Sequence, residues 1–329
     1  MSASLDLLVL GNAIVDVIAR TEDAFLSTQG VTKGAMQLID EERAEALFQA
    51  MGPATIVSGG SGANTAVGAA LLGTKTGFVG KVRDDELGTL FGHDLKATGV
   101  GFTVPAAAEG PATARCLILV TPDAQRTMNT FLGAAQQLER HSVDDAAIAD
   151  AAILYLEGYL WDPQAPRSAM EAAISAARAA GRKVAFTLSD TFCVDRHKAD
   201  FWRLVDERRI DILFANEAEL AAMTGESEFE AGLGALASKV PMLVVTRSEQ
   251  GAVAVAGAER ASVPAEPIRQ LVDTTGAGDL FAAGFLAGQA RDLGLEESLK
   301  LGAIAAAEVI QHYGARPEQD LKVLAADLL

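Results

Sequence analysis

Seven short apolar runs alternate with longer helical patterns along this chain, and that alternation limits its fold more than any other feature. The runs are LLVLG at 7–11, TIVSG at 55–59, TGFVG at 76–80, AILYLE at 152–157, VAFTL at 184–188, DILFA at 211–215 and MLVVT at 242–246. Each is continuous rather than polar-apolar alternating, as a strand covered on both faces should be. Helical patterns at 41–51, 63–72, 86–98, 165–180 and 217–223 fall between several of them. Repeated βα units and a mostly parallel sheet follow, and right-handed crossovers place helices on both of its faces, an α/β/α layering.

Two segments break the rhythm. Over 12–39 and 100–131 the strand-like pieces AIVDVIAR, AMQLID, GFTVPAA, ATARCLILV and RTMNTFL occur without helices of useful length between them. They are expected to form a small antiparallel sheet inserted as a lid, with residues 1–11, 40–99 and 132–329 as the α/β core. A chain of 329 residues is long enough for one large domain carrying such an insertion.

Charge narrows the partners. A net charge of −17 disfavours phosphodiester backbones and anionic membrane surfaces, so neither nucleic acid nor membrane is expected as a partner. Any small anion must find its positive potential locally, in backbone N–H groups, a few arginines or a metal. The two cysteines, Cys116 and Cys193, show no metal-ligand spacing and fit a reducing cytoplasm. The first residues, MSASLDLLVLGNAIVD, lack a basic leader, and no run reaches the roughly 18 apolar residues of a membrane span.

The nucleotide signatures GxxxxGK[ST] and GxGxxG are absent, as are HExxH and GxSxG, and the histidines are scattered. What stands out instead is VDTTGAGDLFAAG at 272–284. Gly276 and Gly278 can turn their N–H groups outward just where an apolar helix begins, which makes an anion hole at a helix N-terminus. Asp279, in the first turn of that helix, is placed to accept a proton from an attacking hydroxyl, while Asp273 before the turn is suited to fixing it by local hydrogen bonds. Asp in a first turn is also an ordinary helix feature, so the flanking glycines carry the argument.

GGSGANT at 59–65 is a second glycine-rich turn, read as following a parallel strand, with Asn64 able to meet a substrate hydroxyl pair and Asp16 in GNAIVD able to do the same. In ANEAEL, Asn216 and Glu219 make a capping box that explains itself, although the acids Glu217 and Glu219 could hold Mg²⁺ through water. Thr246, Arg247 and Gly251 form another strand-end turn, and Arg126 lies just past the lid turn TPDAQ. For both arginines a surface ion pair is the plainer alternative.

Together these residues resemble the ribokinase-like (PfkB-type) family of carbohydrate and nucleoside kinases over essentially the whole chain. DTTGAGDLFAAGF looks like the family's C-terminal signature, GGSGANTA its N-terminal glycine signature and NEAE its NxxE motif, in the expected order. Thr275 stands where DTNGAGD has asparagine. The resemblance implies a Rossmann-like α/β sandwich with a β-sheet lid, ATP and Mg²⁺ as cosubstrates, and phosphorylation of a hydroxymethyl group on a sugar or nucleoside. It implies Asp279 as base, the backbone of Gly276, Ala277 and Gly278 as anion hole, and Arg126 as a lid arginine reaching the phosphoryl group. On the substrate side it places Asn12, Ile14, Asp16, Gly59, Gly60, Asn64 and Phe131. On the ATP side it places Asn216, Glu219, Thr246, Arg247, Gly251, Thr274, Gly276 and Gly278, with Mg²⁺ held through water by Glu219 and Asn216.

GNAIVDV, ILFANEAEL and DTTGAGDLFAAGF look most like the adenosine kinases of this family, which makes the 5′-hydroxyl of adenosine the first-choice acceptor. Ile14, Met36, Leu117, Leu119 and Phe131 are candidates for an apolar purine slot, although the same side chains could simply be the lid's packed face, and for any one of them core packing is the plainer reading. The alternatives are a ribose- or fructose-type sugar kinase and, from another class, a nucleoside- or sugar-sensing protein without chemistry. A dinucleotide oxidoreductase is disfavoured by the missing third glycine. Activation by a monovalent cation such as K⁺ and the choice between a monomer and a lid-mediated homodimer are left open.

Overall fold

The computed structural model describes residues 3–123 and 125–329. Met1 and Ser2 of the N-terminal reading, and Ala124 of the TPDAQ turn, lie outside the described residues. Fourteen strands form two sheets among these residues. In chain order they are β1 (Leu5–Leu10), β2 (Ile14–Arg20), β3 (Met36–Leu38), β4 (Ala54–Gly59), β5 (Thr76–Val79), β6 (Gly101–Phe102) and β7 (Ala114–Val120). There follow β8 (Arg126–Phe131), β9 (Ala151–Glu157), β10 (Lys183–Thr187), β11 (Ile212–Asn216), β12 (Met242–Thr246), β13 (Ala252–Ala256) and β14 (Glu259–Val263).

The larger sheet runs β14-β13-β12-β11-β10-β9-β1-β5-β6. It is parallel from β12 to β6, and β13 and β14 close one edge as an antiparallel hairpin. The interior strand β1 shows why the apolar runs are continuous. Leu8 and Leu10 of β1 enter one core cluster while Leu7 and Val9 enter another across the sheet, so both faces are packed under helices. The result is the expected three-layer α/β/α sandwich with a mostly parallel central sheet.

The chain leaves β1 toward β5 on one side and returns to β9 on the other, so β1 and β9 mark the point where strand order reverses. Ligand crevices in open α/β sheets form beyond the strand ends at such a point. Asn12 follows β1 and Glu157 closes β9, which brings both to that crevice.

The smaller sheet runs β3-β8-β7-β2-β4. It is mixed rather than antiparallel, because β2 pairs β7, and β3 pairs β8, in parallel. Two placements differ from the sequence reading. The TIVSG run is not a parallel core strand: β4 pairs antiparallel with β2 at the edge of the small sheet, with Ile14 opposite Gly59. Conversely, GFTVPAA supplies β6, a short edge strand of the large sheet beside β5. An edge strand is solvated on one side, and the outer half of β4 is exposed accordingly, which a continuous apolar run could not reveal.

Candidate active site

The Ala277–Gln289 helix carries Asp279 in its first turn. Gly276 caps it in the left-handed region at φ 77°, where a Cβ would also lie 2.6 Å from the Ala315 methyl, so both backbone and space require glycine. Asp273 fixes the preceding turn as expected: its Oδ1 accepts from Thr275 N–H at 2.9 Å and Thr275 Oγ1 at 2.6 Å, and its Oδ2 accepts from Gly314 N–H at 3.0 Å. The hydroxyl of Thr275 thus serves the turn in the position where asparagine is usual. Ala277 N–H donates to the Thr274 carbonyl at 3.3 Å, and the next first-turn N–H groups have no intrahelical acceptor.

GGSGANT meets this turn from the Ser61–Leu71 helix. Ser61 Oγ donates to Asp279 Oδ1 at 2.7 Å and Asn64 Nδ2 donates to Oδ2 at 2.9 Å. Burial pushes the Asp279 carboxyl above its ordinary range, while these two donors and Arg316 oppose that shift. The outcome is a fixed, half-buried carboxylate with raised basicity at the start of a helix.

The small sheet adds two ionisable groups. Burial pushes the Asp16 carboxyl on β2 up to about 7, against the attraction of Arg316. Gly59 on β4 is required beside it, since a Cβ there would lie 2.1 Å from Asp16 Oδ2. Arg126 on β8 reaches the anion turn: its Nη2 donates to Thr274 Oγ1 at 3.2 Å, and its Nη1 lies 2.8 Å from Asp273 Oδ1 as a charge contact without hydrogen-bond alignment.

These groups line one cavity of about 920 Å³ that runs from the small sheet to the loop before the Ala277–Gln289 helix. Asn12, Ile14, Asp16, Gly60, Asn64, Arg126, Asn216, Glu219, Thr246, Gly251, Thr274, Gly276, Ala277, Gly278 and Asp279 all border it. Asn12 Oδ1 and Asn64 Oδ1 are buried acceptors with no partner within the protein, which suits them to a ligand's hydroxyl donors.

Three expected residues lie apart from that lining. Arg247 turns away to Glu217 at 3.2 Å and stacks over the Phe229 ring at 3.7 Å, the ion-pair alternative. Gly59 is displaced from the cavity by the Asp16 side chain it accommodates. Phe131 is buried without bordering the cavity, and its neighbour Leu132 does so instead.

The slot candidates on β7 follow the packing alternative. Leu117 and Leu119 pack with Leu26 and Leu47 on the helix-covered face of the small sheet, away from the cavity, whereas Cys116 and Ile118 face the cavity beside Met128. Side chains alternate along a strand, so an error of one residue reverses the face.

Asn216 and Glu219 form the full capping box: Glu219 N–H donates to Asn216 Oδ1 at 2.8 Å, and Asn216 N–H and Nδ2 donate to Glu219 at 3.0 and 2.6 Å. Burial pushes the Glu219 carboxyl up to about 7. No group of three or more acidic, histidine or cysteine side chains suited to holding a metal occurs among the described residues.

Three residues were not singled out from the sequence. Ser61 sits inside GGSGANT, and its position at a helix start facing DTTGAGD was the available signal. Glu157 accepts from Asn12 N–H at 2.8 Å, from Asn12 Nδ2 at 2.6 Å and from Gly62 N–H, which ties the switch point to the glycine turn. Burial pushes this carboxyl up to about 7. A lone acid closing an apolar strand was the clue to it. Arg316 follows no motif at all.

The chain matches the pfkB family carbohydrate kinase description over residues 5–321. It belongs to the pfkB family of carbohydrate kinases. Two solved structures cover 99% of it and are themselves wholly covered: a probable sugar kinase from Rhizobium etli at 46% identity and TM-score 0.95, and the adenosine kinase from Sinorhizobium meliloti at 47% and 0.94. A fructokinase from Klebsiella pneumoniae is 29% identical over 243 residues, 70% of this chain and 76% of the relative. The fold is therefore ribokinase-like, and the chain is a phosphotransferase with an alcohol group as acceptor, of the sugar and nucleoside kinase class. The sensing protein without chemistry falls away as an alternative. Kinases of the pfkB family use ATP.

Proposed function

We propose that this pfkB-family kinase transfers the γ-phosphoryl group of ATP to the 5′-hydroxyl of adenosine, giving AMP. The observation that carries the reading is the two-sided character of the cavity under the small sheet. Asn12, Asp16 and Asn64 supply a polar end, while Ile14, Met36, Cys116, Ile118, Met128 and Leu132 supply a broad apolar face. A nucleoside needs both, hydroxyl partners for its ribose and an apolar slot for its base, whereas a hexose or pentose alone leaves the apolar face uncovered. The likeness to an adenosine kinase at 47% identity supports the same acceptor.

In this reading Asp16, Asn12 and Asn64 hold the ribose hydroxyls and the hydroxymethyl group points to Asp279. Asp279 takes the hydroxyl proton as the oxygen attacks, contributing roughly 10²–10⁴ in rate. The helix-start N–H groups at Gly276, Ala277 and Gly278, with Arg126, stabilise the charge on the migrating phosphoryl group. Thr246, Gly251 and Thr274 border the ATP end. The NEAE pair suits Mg²⁺ through water: Glu219 and Asn216 border the cavity and hold each other rigidly, and the ion would neutralise phosphate charge.

The test is kcat/KM for adenosine, cytidine, ribose and fructose with MgATP, with the phosphorylated product identified by mass spectrometry. Adenosine should exceed either sugar by about a hundredfold or more. A preference for fructose or ribose would overturn the acceptor while leaving the kinase class intact.

A further inference from the structure

We propose that Arg316 is a positioning residue for phosphoryl transfer, bracing the corner where the lid strand β4 joins the helix that holds the base. Arg316 lies in the tail beyond the Leu295–Val309 helix, within GARPE. Its Nε donates to the Ser58 carbonyl at 3.0 Å, its Nη2 to Ser58 Oγ at 3.2 Å and its Nη1 to the Ala63 carbonyl at 3.0 Å. Those acceptors stand on either side of the turn at 59–62.

Each side of that turn carries part of the site. On the lid side, Ser58 precedes Gly59, against which the Asp16 carboxylate packs, and β4 places Val57 opposite Asp16 on β2. On the core side, Ala63 lies between Ser61 and Asn64, whose side chains donate to Asp279. One guanidinium therefore fixes the spacing between the substrate-facing carboxylate and the base. Three bonds from a planar, charged fork resist a shift at this corner better than neutral contacts would.

The same group brings positive charge to both carboxylates. Its attraction opposes the burial that raises Asp16 and Asp279. Burial lowers the Arg316 guanidinium itself to about 10, so it remains charged at neutral pH. The other groups acting within this cluster are Arg126 on β8, Asp273 in the anion turn, Glu157 and Tyr155 on β9, Tyr159 just beyond it, and Asp94 on the Glu86–Ala97 helix.

The inference rests on Asp279 as the base, and the experiment separates the two. Kinetics are measured from about pH 5 to about pH 9 in the wild type, Asp279→Asn, Arg316→Gln and Arg316→Lys, with the acceptor that the wild type turns over. Arg316→Gln should lose about tenfold or more in kcat and move the acid limb of kcat/KM up by about one pH unit, with KM for ATP within about twofold. Arg316→Lys, which keeps the charge and loses the fork, should keep the limb and raise the acceptor KM. Arg316→Gln with a wild-type limb and kcat, whatever its melting temperature, overturns the proposal. Should that variant not fold, an unchanged acceptor KM in Arg316→Lys overturns it. An Asp279→Asn enzyme with wild-type kcat contradicts the base assignment, and the acceptor KM of the Arg316 variants then still decides the bracing.

Discussion

Asp279 is useful only because other residues hold it still. Its two oxygens are occupied by Ser61 and Asn64, from a segment more than 200 residues away in sequence, and burial raises its proton affinity. Asp16 is controlled differently, by the absence of a side chain at Gly59, against which its carboxyl packs. Gly59→Ala would put a methyl group 2.1 Å from Asp16 Oδ2, and the carboxylate must move. The expected outcome is an acceptor KM raised about tenfold or more with KM for ATP nearly unchanged, read by varying each substrate in turn. Equal effects on both would place Asp16 away from the acceptor.

At the scale of elements, only one face of β7 bears on specificity. Ile118 borders the cavity, whereas Leu119 is fully buried on the opposite, helix-covered face of the small sheet. Ile118→Ala should change the acceptor KM and, since Ile118 is itself buried beside Cys116 and Val120, also lower the melting temperature. Leu119→Ala should cost about 2–5 kcal/mol in denaturant unfolding and leave the acceptor KM alone. The opposite pattern in acceptor KM would mean that the register of the small sheet is wrong.

The elements also show what the sequence could convey. The parallel core was legible because strands buried on both faces are written as unbroken apolar runs, and the two glycine turns because their chemistry is local. TIVSG misled for the same reason: an apolar run does not say which sheet it joins, and β4 joined the lid. The parity of Leu117 against Ile118, and the reach of Arg316 from the tail to Ser58, depend on tertiary placement and left no local trace.

Over the whole molecule, acidity and burial combine into a pH dependence. Burial raises Asp16, Glu157 and Glu219 each to about 7 and raises Asp279 as well, compared with roughly 4 for unfolded carboxyls. The folded state therefore binds more protons than the unfolded one in this range. That contribution is fully present below about pH 4 and is lost as pH rises through about 7. Self-repulsion of a chain carrying −17 works in the same direction. The melting temperature of the ligand-free protein should fall between about pH 5 and about pH 8 at constant ionic strength, and Glu219→Gln should flatten part of the slope. A melting temperature that rises over this interval would show that these carboxyls are not buried as described.

Core, small sheet and both glycine turns converge on one carboxylate, Asp279, the proposed base of an ATP-dependent transfer at a helix-start anion hole. Asp279→Asn tests that role most directly, with acceptor-dependent ADP release and ATP affinity measured on the same preparation. The expected result is a kcat lower by about 10²–10⁴ with ATP affinity within a few-fold of wild type. A kcat within about twofold of wild type would contradict it.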